Sequence, residues 1–286
     1  MGFFMVMTAS RARGVADLEV MAVASKMELT PRRLGRHGVE FACESRPPMV
    51  PDIPGIDINT VPAQNRRKRL LIADMDSTMI PVECIDEMAD FAGIGAEVSA
   101  ITTRAMRGEL DFVEAMEARV RLIAGLPEAA LQEVYDQRIS LNPGGRALVQ
   151  TMAANGAHTA LISGGFTFFT ERVAAAAGFH EHRANSLIAE DGRLTGAVAQ
   201  PVLGQAAKVE ALDELCAAHG ITRGDALTVG DGANDIGMLR AAGLGVGHHP
   251  KPAVAQVADA VLTHSDLDAI LFLQGYTEAE FAEAAP

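Results

Sequence analysis

Two aspartates, Asp74 and Asp76, stand two positions apart directly after the apolar run Leu70–Ala73. Side chains alternate along an extended strand, so carboxylates at positions i and i+2 leave it on the same side. Such a pair can divide its work between an ionised nucleophile or metal ligand and a protonated acid. The alternative is an ordinary strand end, where Asx-turns and helix caps are common.

Three further polar stretches could take part in the same chemistry. Ser163-Gly-Gly165 offers a hydroxyl and backbone N–H groups to an anion. Lys208 could place its ammonium on a phosphate, although a lone lysine on a helix is usually solvated. In Gly230–Asp235 the glycines permit a tight turn, while Asp231 and Asp235 could hold a hard cation through oxygen. The alternative for this last stretch is a glycine-rich turn without a ligand.

Short apolar runs place these groups at the ends of strands. Each run is continuous rather than alternating, as expected for parallel strands that are covered on both faces. Helical stretches that end in glycine separate the runs, and this alternation predicts an α/β fold with a doubly wound, mostly parallel sheet. Ligands bind at the carboxyl ends of the strands in such sheets. The runs are Leu70–Ala73, Ala160–Ile162, Ala226–Val229, Leu244–Val246 and Ala260–Leu262.

Two insertions interrupt the alternation of strands and helices. Residues 84–140 show helical spacing and no strand-like run, which predicts a small helical cap. The stretch 185–200 alternates around Asp191-Gly192, a strong signal for a two-residue β-hairpin, which we interpret as a flap or a surface feature. The core is then predicted to comprise residues 66–83 and 141–286.

Residues 1–65 form a separate N-terminal segment in this interpretation. Leu18–Met27 predicts a strand or a short helix, and Gly38–Cys43 predicts a short strand. A high density of proline follows and marks a linker or an extended segment. The run Arg66–Arg69 is interpreted as a solvated lead-in to the first core strand.

Composition excludes some classes of function. With a formal net charge of −13, the chain is a poor match for nucleic acid, whose binding depends on Lys and Arg contacts to phosphates. Its few, scattered cysteines predict neither a disulfide framework nor a zinc site. No apolar stretch is long enough for a membrane span, and the short apolar start lacks the features of a signal peptide. We therefore expect a soluble, cytoplasmic protein with no nucleic-acid or membrane partner.

The succession of DxDST, SGG, Lys and GDGxND motifs resembles the haloacid dehalogenase superfamily. Within it, the sequence is similar to the phosphoserine phosphatase family over about residues 66–275. Some bacterial members of that family carry a regulatory α+β domain before the core, and the short, proline-rich N-terminal segment predicts a truncated version of it. The stretches that carry the resemblance are Asp74–Thr78, Glu83, Leu110–Phe112 with Arg119 and Val120, Ser163–Phe166, Asp191–Gly196 and Gly230–Ile236.

The resemblance implies a magnesium-dependent phosphatase that forms an aspartyl-phosphate intermediate. Asp74 is the implied nucleophile, and Asp76 is the implied general acid and later the general base. Mg²⁺ is implied to bind the carboxylates of Asp74 and Asp231 and the backbone carbonyl of Asp76. Asp235 is implied to hold these metal ligands in position without binding the ion itself.

The substrate contacts follow from the same resemblance. Glu83 would pair with the ammonium of phosphoserine, Arg119 would bind its carboxylate, and Phe112 with Met106 would exclude water. Without the resemblance, these residues would be interpreted as solvated charges and ordinary core, and Arg121 competes for the role of Arg119. The implied phosphate contacts are Ser163, Gly164, Lys208 and Asn234.

The reaction expected from the resemblance is hydrolysis of O-phospho-L-serine to L-serine and phosphate, the last step of serine biosynthesis. A homodimer is a possible assembly. One alternative is another phosphatase of the same superfamily, or a phosphotransferase that passes the group to an alcohol. The other alternative is a non-catalytic sensor of phosphoamino acids, but a sensor has no need of an acid/base aspartate such as Asp76.

Overall fold

The computed structural model describes residues 2–106 and 109–282. They contain an N-terminal four-stranded sheet, a central six-stranded sheet and a two-stranded hairpin. The strands are β1 (Phe3–Thr8), β2 (Pro31–Gly35), β3 (Gly38–Cys43), β4 (Asp57–Pro62), β5 (Leu70–Ala73), β6 (His158–Phe166), β7 (Glu181–Asn185), β8 (Leu187–Glu190), β9 (Arg193–Val198), β10 (Ala226–Gly230), β11 (Leu244–His248) and β12 (Ala260–Leu262). The helices are α1 (Asp17–Met27), α2 (Cys84–Phe91), α3 (Gly95–Met106), α4 (Phe112–Leu122), α5 (Ala129–Arg138), α6 (Gly145–Ala154), α7 (Thr167–Ala177), α8 (Gln205–Ala218), α9 (Ile236–Ala241), α10 (Pro252–Ala255) and α11 (Ala269–Leu273).

The central sheet has the strand order β12-β11-β10-β5-β6-β7, and neighbouring strands are parallel. Its middle strand β5 is buried along its whole length, as its continuous apolar sequence requires. The predicted α/β fold with a mostly parallel sheet is confirmed. Because β10, β5 and β6 are neighbours, the groups that follow them meet at one edge of the sheet.

The insertion after β5 forms four helices, α2 to α5, and no strand is assigned among its described residues. The predicted hairpin is present as β8 and β9, and Asp191 and Gly192 between them both have positive φ, of 50° and 73°. The hairpin pairs with the helical cap, since Leu194 exchanges backbone hydrogen bonds with Gly125 and Leu126. The proposed division into domains at residues 65, 83 and 140 stays a prediction.

The N-terminal segment is a four-stranded antiparallel sheet with helix α1. The ambiguous stretch at residues 18–27 is therefore helical, and Gly38–Cys43 is a strand as predicted. The proline-rich stretch contains β4, which pairs with β1 along six residues. Buried Met5, Met7 and Phe41 give this sheet a core of its own.

Side-chain contacts hold the N-terminal sheet against the core. The carboxylate of Asp57 accepts hydrogen bonds from the backbone N–H groups of residues 263 to 265, just after β12. Asn59 bonds both the N–H and the carbonyl of Val261. On the other side, the ring of His37 packs edge-on against Phe272 of α11, with centroids 4.7 Å apart.

The interpretation of Arg66–Arg69 as a solvated lead-in is wrong for two of its members. Arg66 is 9% exposed in its side chain, pairs with the buried Glu40 at 2.6 Å, and donates to the backbone carbonyls of residues 272 and 273. Lys68 is also buried and donates to the carbonyl of Gly224. A buried guanidinium needs such partners, so Arg66 fastens the N-terminal sheet to α11.

Replacing Arg66 by Met is expected to lower the free energy of unfolding by about 2–4 kcal/mol, because Glu40 and two carbonyls lose a buried donor. Arg69→Met is the matched control, since Arg69 belongs to the same run and is exposed. Equilibrium unfolding in urea measures both variants. Equal losses in the two would show that Arg66 is only a surface charge.

Among the described residues, none of the helices combines the length and the apolar character that a membrane crossing requires.

Candidate active site

One cavity at the carboxyl edge of the central sheet gathers most of the residues that the sequence predicted. Its floor comes from the ends of β5, β6 and β10, and its roof comes from the helical cap. This is the edge where ligands bind in open parallel sheets. The predicted residues that line the cavity are Asp74, Asp76, Glu83, Phe112, Arg119, Ser163, Gly164, Asp231 and Asn234.

Asp74 is buried at the end of β5, where a tight turn over Met75–Met79 begins. Its Oδ1 accepts hydrogen bonds of 2.8 Å from the Met75 N–H and from the Lys208 ammonium. Its Oδ2 lies 3.4 Å from Nδ2 of Asn234. These donors fix the orientation of the carboxylate, which is the arrangement that a nucleophile needs.

Asp76 is held between the cap and the sheet. Its Oδ1 accepts from the N–H of Cys84 at the start of α2 (2.9 Å), and the Ser163 hydroxyl donates to its Oδ2 (3.4 Å). Burial and then the negative charge of Glu83 raise the pKa of Asp76 to about 7, although the Cys84 N–H acts in the other direction. A carboxyl group with that pKa can both donate and accept a proton near neutral pH.

Lys208 lies behind the floor of the cavity, 1% exposed, between two carboxylates. Its ammonium is 2.8 Å from Asp74 and 2.5 Å from Asp235. Burial alone would lower the pKa of Lys208, but the two carboxylates outweigh it and raise the pKa above its ordinary value. Lys208 is therefore a fixed positive charge directly beside Asp74.

Three carboxylates at this edge could hold a metal ion. Asp74, Asp231 and Asp235 each place an oxygen within 4.8 Å of the others. Both oxygens of Asp235 are already used, one by Lys208 and the other by the N–H groups of Asp231 and Gly232. Asp235 therefore stabilises the loop that contains Asp231 and Gly232. The carboxylates of Asp74 and Asp231 remain as the better ligands for a metal ion.

The chemistry of this donor set fits a hard divalent cation. Carboxylate oxygens are the ligands that such ions take in proteins. Burial and then the charge of Asp74 raise the pKa of Asp231, and burial with the same charge raises the pKa of Asp235 to about 7. A bound cation would offset the negative charge of these buried carboxylates.

The cap places a negative and a positive side chain on the cavity. Glu83, which precedes α2, accepts a 2.7 Å hydrogen bond from the Ser77 hydroxyl, and burial raises its pKa. Arg119 on α4 lines the cavity and donates to the carbonyl of Ala115 at 3.2 Å. Within the described part of the chain, no carboxylate forms an ion pair with Arg119. Arg121 is exposed and is not among the lining residues, so the structure favours Arg119.

Phe112 closes the cavity over Gly164. A Cβ on Gly164 would lie 2.9 Å from the Phe112 ring, and a Cβ on Gly165 would lie 2.6 Å from Oδ2 of Asp76. A side chain at either glycine would therefore displace a residue that lines the cavity. The Ser163 hydroxyl accepts from the Gly165 N–H at 2.9 Å, which orders this loop. The side chain of Met106, predicted to join Phe112, lies outside the described atoms.

Two polar residues at the cavity were given no role from the sequence. Lys251 lines it, with its ammonium 3.3 Å from Oδ2 of Asp231, and Ser77 positions Glu83. Ser77 has φ of 56°, an unusual value for serine that the sequence does not reveal. Lys251 follows β11, and its place at a strand end was the one signal that could have indicated it.

Comparison with known families agrees with this arrangement of nucleophile, lysine and acidic loop. The family model for haloacid dehalogenase-like hydrolases matches residues 71–240. The chain belongs to this family.

Its curated relatives carry a narrower name. A phosphoserine phosphatase of Albidiferax ferrireducens is 44% identical over 72% of this chain and 89% of the relative. Phosphoserine phosphatases of Archaeoglobus fulgidus and Mycobacterium tuberculosis are each 42% identical, over 74% and 77% of this chain. The match spans only 62% and 53% of the lengths of these two relatives.

Solved structures show the same fold. A haloacid-dehalogenase-family hydrolase of Salmonella enterica serovar Typhi has a TM-score of 0.83 at 27% identity, covering 96% of this chain and 98% of its own. A phosphoserine phosphatase solved as a phospho-aspartyl intermediate analogue has a TM-score of 0.67 at 37% identity. That similarity covers 72% of this chain and 98% of the other.

Proposed function

We propose that this chain hydrolyses O-phospho-L-serine to L-serine and phosphate through an aspartyl phosphate on Asp74, the closing reaction of serine biosynthesis. The observation that carries the proposal is a single cavity with Asp74 and Asp76 at its floor and Glu83 and Arg119 on its cap side. The names of the curated relatives support the same substrate. A homodimer also stays a proposal.

In the first step, an oxygen of Asp74 attacks phosphorus and the bond to the seryl oxygen breaks. The proton that the departing oxygen needs comes from Asp76, whose raised pKa of about 7 keeps a protonated fraction available. Lys208, 2.8 Å from Asp74, offsets the charge that the phosphoryl oxygens bring beside this carboxylate. Ser163 and the N–H of Gly164 would orient the phosphoryl group, since both residues line the cavity.

In the second step, water attacks the phosphorus of the aspartyl phosphate. Asp76, now deprotonated, takes the proton of that water, and phosphate leaves with Asp74 restored. Asp76 is held for both steps by the Cys84 N–H and the Ser163 hydroxyl. The same group therefore acts first as acid and then as base.

The residues that would hold a divalent cation, proposed as Mg²⁺, are Asp74 and Asp231 through their carboxylates and Asp76 through its backbone carbonyl. When bound, the ion supplies positive charge that lowers the repulsion between a phosphate ester and the carboxylates of the site. The backbone N–H of Asp231 donates a 3.1 Å hydrogen bond to the carboxylate of Asp235, which keeps Asp231 in place. Asn234, 3.4 Å from Asp74, adds a neutral donor.

Recognition of serine is assigned to the cap. The carboxylate of Glu83 would bind the substrate ammonium, while the guanidinium of Arg119 would bind its carboxylate through paired hydrogen bonds. Phe112, which packs over Gly164, would keep water from the phosphoryl group. A sugar phosphate offers neither charged group, so this pair favours an amino-acid substrate over a sugar.

Replacing Arg119 by Leu is expected to lower kcat/KM for phosphoserine about 10–100-fold, mainly through KM, because the substrate carboxylate loses a charged partner. Activity on p-nitrophenyl phosphate, which lacks that carboxylate, should change little. Arg121→Leu is the matched control on the same helix, and it should retain the activity of the unmodified chain. Equal effects on both substrates would count against substrate recognition by Arg119.

The test of the proposed substrate is phosphate release from L-phosphoserine, with Mg²⁺ and with EDTA, beside phosphothreonine and several sugar phosphates. Rapid release from phosphoserine that EDTA abolishes is the expected result. Release from sugar phosphates only would keep the chemistry of Asp74 and assign another substrate. Transfer of phosphate to an added alcohol would indicate a phosphotransferase, and no release from any ester would favour a sensor.

A further inference from the structure

A second ammonium group, that of Lys251, reaches the carboxylates at the mouth of the cavity. It lies 3.3 Å from Oδ2 of Asp231, while Oδ1 of the same carboxylate accepts from Thr78. The side chain of Lys251 is 61% exposed, whereas that of Asp231 is 6% exposed. A mostly exposed lysine thus contacts the buried carboxylate that is proposed to bind the cation.

The backbone of Lys251 is held in place, while its side chain is mostly exposed. Its N–H donates to the carbonyl of Asp231 at 2.9 Å, and prolines 250 and 252 stand on both sides of it. Lys208 differs, because two carboxylates within 2.8 Å hold its ammonium in a buried position. Lys251 is therefore the cation that can leave its carboxylate and enter solvent without breaking the loop.

The site places five carboxyl groups around these two lysines. Burial lowers the pKa of Lys251, but the charges of Asp231 and then Glu83 outweigh it and raise that pKa. The ammonium is thus charged at neutral pH and is attracted by both carboxylates. The carboxylates around the cavity are Asp74, Asp76, Glu83, Asp231 and Asp235.

We propose that Lys251 is the counter-ion of Asp231 while the divalent cation is absent, and that it competes with that cation for the carboxylate. The proposal rests on the metal site assigned above. An ammonium 3.3 Å from a carboxylate oxygen repels any cation bound to the same carboxylate, so it must move outward when the ion binds. This displacement costs free energy, so Lys251 weakens metal binding. In the absence of the metal, the same ion pair stabilises the protein.

The experiment measures Mn²⁺ binding by the electron paramagnetic resonance signal of the free ion, since Mn²⁺ takes the oxygen ligands that suit Mg²⁺. Lys251→Met is expected to lower the Kd for Mn²⁺ about 3–30-fold. Lys251→Gln should act in the same direction and covers the case of a poorly folded Met variant. Lys251→Arg and Lys26→Met, an exposed lysine on α1, should remain within about twofold of the unmodified chain.

Thermal unfolding supplies an independent readout without any substrate. The metal-free Lys251→Met protein should have a lower Tm than the unmodified chain, and its Tm should rise more when Mn²⁺ is added. If Lys251 instead only positioned Asp231 as a metal ligand, the result would be the opposite, and the variant would bind Mn²⁺ more weakly. Unchanged or weaker binding in both Lys251→Met and Lys251→Gln overturns the proposal.

The two proposals fail in different ways. A chain that hydrolyses phosphoserine and binds Mn²⁺, but gains no affinity on loss of Lys251, sinks only the counter-ion role. Tighter Mn²⁺ binding in the Lys251 variants, without phosphoserine hydrolysis by the unmodified chain, sinks only the proposed substrate. A chain that binds no Mn²⁺ at all overturns the counter-ion role together with the metal site.

Discussion

Replacing Asp74 by Asn is expected to lower kcat for phosphoserine hydrolysis by about 10⁴-fold or more, because an amide cannot form the acyl phosphate. The fold should persist, since the amide keeps the shape of the side chain and its carbonyl oxygen can still accept from the Met75 N–H at 2.8 Å. Phosphate release under saturating substrate measures the loss. Circular dichroism and thermal unfolding check that the variant is folded.

The control for this variant is Asp52→Asn, which makes the same chemical change at an exposed position of the N-terminal segment. It should keep the activity of the unmodified chain. Retention of more than about one tenth of kcat in Asp74→Asn would contradict nucleophilic catalysis at this position. In that case direct attack by water, with Asp74 only as a charge or ligand, would explain the reaction better.

Replacing Asp76 by Asn is expected to lower kcat for phosphoserine about 10²–10⁴-fold, because both the departing seryl oxygen and the attacking water lose their proton partner. The two steps can be separated with p-nitrophenyl phosphate, whose leaving group needs no proton. With this substrate the first step should survive and the second should not. A rapid burst of one nitrophenol per active site, followed by a slow phase, is the predicted time course.

This burst distinguishes an acid/base role of Asp76 from a structural one. The amide of the variant can still accept from the Cys84 N–H, which donates to Asp76 at 2.9 Å, and a purely structural role of Asp76 would affect both steps with both substrates alike. Absence of a burst, with equal losses on phosphoserine and p-nitrophenyl phosphate, would therefore remove Asp76 from proton transfer. Thermal unfolding of the variant shows whether α2 keeps its start.

The sequence indicated which groups meet at the carboxyl edge of the central sheet, because its signals are local. A buried parallel strand is a continuous apolar run, and the proposed site residues Asp74, Ser163 and Asp231 each follow such a run directly. The order of the strands in the sheet cannot be predicted from local signals. Any order that makes the three strands before these residues neighbours, however, brings the same residues together. The observed neighbours β10, β5 and β6 do so.

The residues that sequence reasoning missed depend on contacts between distant parts of the chain. Lys251 is an ordinary lysine between prolines until β11 places it beside Asp231. Arg66 looks like part of a solvated basic run, and its partners at residues 272 and 273 lie more than 200 positions away. No periodicity or spacing signal reports such pairs.

The N-terminal sheet illustrates the same limit. Its strands pair in the order β2-β3-β1-β4. Strand β4, which lies within the proline-rich stretch, therefore pairs with β1 on the side opposite β3. Prolines favour extended backbone, and an edge strand tolerates them, which is why the stretch was open to interpretation as a linker. Its docking through Asp57 and Asn59 could not be predicted, because their partners are backbone groups of residues 261 to 265.

The central claim is that Asp74 carries the phosphoryl group of phosphoserine during turnover. The most direct measurement is rapid acid quench of the chain with L-phosphoserine and Mg²⁺, followed by mass spectrometry of the peptide that contains Asp74 and Asp76. We predict an added mass of one phosphoryl group on Asp74 in the unmodified chain and none in Asp74→Asn. In the Asp76→Asn variant the same adduct should accumulate with p-nitrophenyl phosphate, whose leaving group needs no proton. The mechanism would be contradicted by turnover of phosphoserine without this adduct in the unmodified chain, together with its absence from Asp76→Asn treated with p-nitrophenyl phosphate.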